Sequence, residues 1–262
     1  METYATLRVQ DGPNEVLLAT LDRPEVANAF NTRTALELCE LFERFQAEQR
    51  YRCVVITGAG DKAFCAGADL KERSSLSDDQ WHSQHRVFER MFCAVRDCPI
   101  PVIAAVNGAA YAGGLELMLH CDFAYASTTA RFALTEVSLG IIPGGGGTQT
   151  LSRVVGERRA KELILAARPF SAEEALAWGV VNRLCAPADL LGETLGTAER
   201  MASLAPLALR QVKHAMRQGL HRDLASAMQI EIEAYNRLVG TEDRREGIRA
   251  FNEKRAPKFE GR

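Results

Sequence analysis

Pro101-Val-Ile-Ala-Ala-Val-Asn-Gly108-Ala-Ala-Tyr-Ala-Gly113-Gly-Leu-Glu116-Leu-Met-Leu119 is the stretch on which the fold turns. Its first part, Ile103 to Val106, is a short apolar run closed by Asn107-Gly108, the pattern of a strand buried on both faces. Its last part starts at Gly113-Gly114 and continues as an apolar run that begins like a helix, with Glu116 as its only polar side chain before His120. Strand, small-residue corner and helix follow one another within a few residues. The same strand pattern stands upstream at Val16 to Leu21 and at Cys53 to Thr57, and downstream at Asp122 to Ser127. Between the first two, Leu38, Phe42 and Phe45 recur at helical spacing over Asn31 to Glu48, behind Asn31 as N-cap. This alternation, which runs to about residue 195, predicts an α/β domain.

Beyond residue 195 the pattern changes to helices alone: Pro206 to Gln218, Leu224 to Val239 and Thr241 to Arg255. The last carries Glu242 and Asp243 in its first turn and Lys254 and Arg255 in its last, which suits the helix dipole. Residues 1–195 are therefore expected to form the core. Residues 196–262 form a helical region docked on it or on another subunit.

The bulk numbers exclude several classes. A chain of 262 residues, 47% hydrophobic and 25% charged, can bury a sizeable core. A formal charge of −2 gives no general attraction to nucleic acid or anionic membranes. The segment Met1 to Thr20 mixes Glu2, Arg8, Asp11 and Glu15 among apolar residues, and no apolar run approaches a membrane span. A cytoplasmic protein is the expectation. Seven cysteines, irregularly spaced and without a C-x-x-C pair, are expected to be reduced and mostly buried.

Two glutamates stand where apolar residues belong. Glu116 is enclosed by its run, and an enclosed carboxylate needs a partner or a raised pKa, both of use in proton transfer. A surface position on an amphipathic helix is the alternative. Glu136, within Phe132-Ala-Leu-Thr-Glu136-Val-Ser-Leu-Gly-Ile-Ile-Pro143, has similarly apolar neighbours and is followed by Gly144-Gly-Gly-Gly147, where backbone can approach closely. A flexible turn is the competing reading of those glycines. If the two carboxylates meet, they form a general acid/base pair able to manage one water.

Two corners complete the picture. Ala63-Phe-Cys-Ala-Gly-Ala68-Asp-Leu70 and Asn107-Gly-Ala-Ala-Tyr-Ala-Gly113-Gly114 each follow a strand and consist largely of small residues. They permit free N–H groups to point into one pocket, the second at a helix start whose dipole favours negative charge.

Other readings fare worse. The glycine run lacks the lysine of a phosphate-binding loop, and Gly58-x-Gly60 has no third glycine at dinucleotide spacing. His82 and His85, among Asp78, Asp79 and Gln84, read as a solvated face rather than metal ligands. His120 beside Cys121 and Asp122 has no second cluster with ligand spacing, so no metal is expected. A Gly-x-Ser-x-Gly elbow is absent, which argues against a serine hydrolase.

Four stretches together resemble the enoyl-CoA hydratase/isomerase (crotonase) family: Asp61-Lys-Ala-Phe-Cys-Ala-Gly-Ala-Asp-Leu-Lys71, Pro101 to Gly108, Ala112-Gly-Gly-Leu-Glu-Leu117 with Cys121-Asp122, and Thr135 to Gln149. They stand in family order at family spacing. The resemblance implies a spiral of ββα units with a C-terminal helical region that forms a homotrimer, or a homohexamer as a dimer of trimers. It implies that Ala68 and Gly113 supply the oxyanion hole for a thioester carbonyl, that Glu116 and Glu136 are catalytic, and that Gly144 helps position the water. It also implies coenzyme A contacts from Lys62, Ala66, Ala68, Asp69, Leu70 and Lys71, and from Lys254 of a neighbouring subunit. Keeping both glutamates favours reversible syn hydration of a 2-enoyl-CoA, with no cofactor beyond the CoA carried by the substrate. Glu116 would act as base and Glu136 as acid.

The alternatives within the family are a dehydratase, isomerase or thioester hydrolase on a branched acyl-CoA, or a non-catalytic RNA-binding member. Leu139 to Gln149, Ala160 to Ile164 and the tail Glu246 to Arg255 look closest to methylglutaconyl-CoA hydratases, some of which bind RNA. The absence of a basic stripe with interleaved aromatics argues against RNA here. Leu134 replaces a polar residue found two positions before the second glutamate in some straight-chain hydratases, which leaves the acyl group open.

Overall fold

The computed structural model describes residues 4–262. Glu2, one of the N-terminal charges noted above, lies outside them. The strands are β1 (Leu7–Asp11), β2 (Val16–Leu21), β3 (Cys53–Gly58), β4 (Ala63–Cys65), β5 (Val102–Val106), β6 (Ala109–Tyr111), β7 (Phe123–Ser127), β8 (Arg131–Ala133), β9 (Phe170–Ser171) and β10 (Arg183–Cys185). The larger sheet runs β1-β2-β3-β5-β7-β10 and the smaller β4-β6-β8-β9. All pairings are parallel except β1 with β2 and β8 with β9.

Helices α1 (Thr32–Glu43), α2 (Leu70–Arg73), α3 (Asp78–Arg96), α4 (Gly113–His120), α5 (Gly147–Val155), α6 (Glu157–Leu165) and α7 (Ala172–Ala177) fill the connections. From β3 onward each turn lays one strand in the large sheet, the next in the small sheet, and then a helix: β3-β4-α2, β5-β6-α4 and β7-β8-α5. This is the expected spiral of ββα units. Asn31 caps α1, its side chain accepting the Thr34 N–H at 2.9 Å.

Burial on both faces explains the continuous apolar strands. Along β3, Val54 and Ile56 join the cluster inside the spiral, with Val102, Ala104, Val106, Phe42 and Leu117. Cys53 and Val55 point the other way, with Ile103 and Ala105, into a second cluster closed by Leu190, Ala198 and Ala202. Those three belong to α8 (Leu190–Ala202), which lies across the outer face of the large sheet. Each fully buried aliphatic side chain contributes about 1.5–3 kcal/mol. The change of character placed near residue 195 thus falls inside a helix of the core, because the period-four burial of α8 serves the sheet. The helical end begins at Pro206.

That end comprises α9 (Pro206–Gly219), α10 (Leu224–Val239) and α11 (Glu242–Asn252). The third helix stops three residues short of Arg255, since Lys254 takes a left-handed φ of 54°. Arg255 instead turns back to the buried Glu246, with Nη1 2.6 Å from its Oε1. Glu246 also accepts the Lys258 N–H, and the buried Asp243 accepts those of Glu260 and Gly261, so two carboxylates clamp the tail. All seven cysteines are free, and only Cys93 is exposed. Among the described residues no helix is long and apolar enough to cross a membrane.

The start of α4 rests directly on the end of β4. A Cβ at Gly114 would lie 2.0 Å from the Cys65 carbonyl oxygen, so only glycine lets the helix approach this closely. Gly114→Ala is expected to lower the free energy of unfolding by about 1–3 kcal/mol or more, read by denaturant titration.

Candidate active site

The small sheet ends where the two corners meet. Leaving β4, the chain bridges to Phe30: the Phe30 N–H donates to Gly67 O, and the Asp69 N–H donates to Phe30 O, each at 2.9 Å. The Ala68 N–H between them has no acceptor among the described residues. Leaving β6, Ala112 adopts φ 49° and ψ −126°, a left-handed conformation in which its own N–H donates to Ala133 O at 2.8 Å. Such backbone strain costs about 1–3 kcal/mol and collects at functional sites. It turns the next peptide so that Gly113, the first residue of α4, keeps its N–H without an acceptor as well. A Cβ at Gly67 would lie 3.1 Å from the Gly113 nitrogen, which measures how closely the corners abut.

Glu116 stands in the first turn of α4 and is 2% exposed. Its Oε1 accepts two backbone N–H groups of the glycine run, Gly145 at 2.8 Å and Gly147 at 2.7 Å. Its Oε2 has no donor among the described residues. Burial pushes the carboxyl up to about 7, reinforced by the charge of Glu136 and opposed by the two amides.

Glu136 opens the short 3-10 turn Glu136–Leu139 that follows β8. It is 6% exposed, its Oε2 is enclosed without a hydrogen-bond partner, and burial raises its pKa too. Two carboxylates that share a dehydrated space resist being charged together.

The glycine run has its own anchor. The His120 Nε2 lies 2.6 Å from the Gly145 carbonyl oxygen, which can only accept, so that nitrogen carries the proton. Burial lowers the His120 pKa and keeps the ring neutral. One residue, Gly145, therefore ties the loop to α4 through both its N–H and its carbonyl. His120 was weighed in the sequence as a metal ligand; its role in the fold is to hold this loop.

A cavity of about 600 Å³ opens before these groups. Ala66, Ala68, Leu70, Gly113, Glu116, Glu136 and Gly144 all line it. The remaining residues read from the sequence lie outside that lining. Lys62, Lys71 and Lys254 are exposed on the surface. The Asp69 carboxylate caps α2 through the Lys71 and Glu72 N–H groups and pairs with Arg23 at 2.9 Å. Leu134 is buried behind the glycine run, where its Cδ1 would meet a Cβ at Gly147 at 2.9 Å.

His82 is exposed and His85 partly so, as a solvated face requires, and both also line the cavity, because α3 crosses its mouth. A Cβ at Gly144 would lie 2.6 Å from the His85 ring. Phe30, Arg73, Trp81, Phe88 and Phe92 also line the cavity and were not singled out in the sequence. Trp81, Phe88 and Phe92 sit at helix spacing on α3, indistinguishable there from ordinary core, Phe30 precedes the Asn31 cap of α1, and Arg73 follows Lys71 and Glu72 in what reads as a polar surface turn. Among the described residues no three His, Cys, Asp or Glu side chains are grouped to hold a metal ion.

Two enclosed carboxylates facing two unclaimed backbone N–H groups define a site that can steady an oxyanion while protons move. The chain belongs to the enoyl-CoA hydratase/isomerase family, whose model matches residues 11–262. It is 38% identical to the short-chain-enoyl-CoA hydratase of Clostridium acetobutylicum, over 94% of each chain. It is 40% identical to the crotonyl-CoA hydratase of Syntrophomonas wolfei, over 91% of this chain and 92% of the relative. The crystal structure of an enoyl-CoA hydratase from Bacillus anthracis superposes with a TM-score of 0.96 at 41% identity, covering 98% of this chain and 100% of that one.

The raised carboxyl of Glu116 has a consequence for stability. Between the ordinary glutamate range and about 7 the folded protein holds a proton that the unfolded chain has released, so stability falls as pH rises through that window. Glu116→Gln keeps an acceptor for the two amides and removes the charge. It is expected to unfold at higher temperature than the wild type at pH 8, by about 1–3 kcal/mol of stability, with the gap closing near pH 4.5 in paired thermal melts.

Proposed function

We propose that the protein catalyses reversible syn addition of water to the double bond of a 2-enoyl-CoA thioester. The single observation that carries the reading is the convergence, on one cavity, of two acceptor-free N–H groups and two buried carboxylates. The Ala68 and Gly113 N–H groups receive the thioester carbonyl oxygen, and the positive end of α4 adds to their pull as negative charge grows on it. This polarisation draws electrons from the double bond and makes the β-carbon electrophilic.

Glu116, ionised and tethered through Oε1, presents Oε2 to a water held beside Gly144. As the water oxygen bonds to the β-carbon, its proton passes to Glu116. Glu136, in its neutral form, delivers a proton to the α-carbon from the same face, which closes the syn addition. The proton balance is restored when Glu116 passes its proton on and Glu136 is reprotonated. One carboxyl must be charged and the other neutral, and mutual repulsion in a buried pair maintains that division.

Glu116→Gln and Glu136→Gln are each expected to lower kcat for crotonyl-CoA hydration by about 10² to 10⁴, followed as loss of the conjugated thioester absorbance. In the wild type, kcat/KM is expected to fall as pH rises through about 7, where the pair gives up its remaining proton and no neutral carboxyl is left to act as acid. A flat profile across pH 5–8 would count against a pair that shares one proton.

We further infer a homotrimer, or a hexamer built from two trimers. Val212 and Met216 on α9, Leu220 just beyond it, and Leu224, Met228 and Tyr235 on α10 are exposed around an apolar groove of about 630 Å³. An apolar surface of this kind marks an association site. Lys254, standing on the surface beyond α11, is the side chain offered to a neighbour's coenzyme A, while Ala66 and Leu70 meet the nucleotide arm from within the same chain. Met228→Asp combined with Tyr235→Asp is expected to reduce the mass seen by light scattering from an oligomer to a monomer.

A further inference from the structure

Gly144, Gly145 and Gly146 lie outside any helix or strand, and glycines in a row leave the backbone its widest choice of conformations. Pro143 and Gly144 form no hydrogen bond among the described residues, so the run has little of its own to hold it. Gly145 is held from one helix. Glu116 Oε1 accepts its N–H at 2.8 Å, and His120 Nε2 donates to its carbonyl oxygen at 2.6 Å. Neither group of Gly145 has another partner among the described residues. Glu116 and His120 stand four positions apart on α4, so one turn of helix grips both ends of one residue.

The donor ring is itself set in place. Phe92, from α3, lies 5.5 Å from His120 between ring centroids, and a Cβ at Gly145 would lie 2.2 Å from the same Phe92 ring. The His120 ring also backs the next residue, since a Cβ at Gly146 would lie 3.3 Å from Nε2. Arg96 and Asp97, at the end of α3, are the charged groups facing His120, and they act in opposite directions on it. Glu116 Oε1 is fixed by the Gly145 and Gly147 amides alone. A loop free to shift would let that carboxyl turn, and a misplacement of about 1 Å can cost on the order of a hundredfold in rate.

We propose that His120 is a positioning residue for hydration: its hydrogen bond to the Gly145 carbonyl keeps the loop amides on Glu116 Oε1 and so keeps Oε2 aimed at the water. His120 touches neither substrate nor water in this scheme, and acts through Gly145 on Glu116. The kinetic part rests on the hydratase reading above. The geometric part, that a donor at position 120 holds the two amides, stands without it.

Two opposite exchanges separate the donor from the ring. His120→Phe keeps a ring beside Phe92 and loses the donor; His120→Gln keeps a donor and loses the ring. His120→Phe is expected to lower kcat for crotonyl-CoA about tenfold to a hundredfold with KM changed less than about twofold, while His120→Gln stays within about threefold of wild type. In the Glu116→Gln background the same His120→Phe exchange should cost less than about threefold, because the group it positions is gone. Should His120→Phe fail to fold, His120→Leu takes its place with the same expectation. The reverse order, with Phe harmless and Gln damaging, would show that His120 only fills space and would overturn the proposal, as would a loss confined to KM. If crotonyl-CoA is not hydrated at all, the hydratase reading fails, and hydrogen exchange of the Gly145 and Gly147 amides, followed by NMR, decides the geometric part. Exchange about tenfold faster in His120→Phe but not in His120→Gln upholds it; unchanged exchange overturns it.

Discussion

The contact between Glu116 Oε1 and the N–H groups of Gly145 and Gly147 is the constraint on which the site depends. It joins the first turn of α4 to the loop that leads into α5, at 2.8 and 2.7 Å, and so fixes one carboxylate oxygen while freeing the other. A single residue is asked to be a rigid brace and a base. The two amides favour the charged carboxylate, burial and Glu136 favour the neutral one, and the balance puts the group where a modest change of surroundings switches it.

Everything around that contact is arranged to make close approach possible. Gly145 runs so near Phe92 that a Cβ there would lie 2.2 Å from the ring, and the His120 ring takes the carbonyl at the other end of the same residue. The parallel spiral supplies the remaining geometry. Each turn drops one short strand into the small sheet and then starts a helix, so successive corners stack at the same edge. Ala68 and Gly113 come from successive turns, and their N–H groups converge because β4 and β6 are paired neighbours. The binding wall is less symmetrical, since α3 crosses it with Trp81, His85, Phe88 and Phe92 on one face.

Much of this could be read from the chain. Apolar β-branched runs, the Asn31 cap and the boundaries of α10 depend on local periodicity and capping, and local rules decide them. Glu116 and Glu136 stood out because each is the one charge in an apolar run, and the corners because small residues cluster after strands. Arg73 and Trp81 did not stand out. Their sequence neighbours are polar, and only the crossing of α3 over the cavity decides which side of a polar helix is enclosed. Asp69 and Leu134 show the opposite case: a motif names them, while packing turns Asp69 to a helix cap and to Arg23, and Leu134 to the back of the glycine run.

Sequence by itself determined the alternation of strand and helix, the helical end, the two enclosed acids and the glycines that permit close backbone contact, because these are properties of residues and their nearest neighbours. Tertiary structure alone decided that the acids share one cavity and that two N–H groups are left without acceptors. Those facts join residues tens of positions apart, and only the pairing of the strands and the packing of the helices upon them bring such residues face to face.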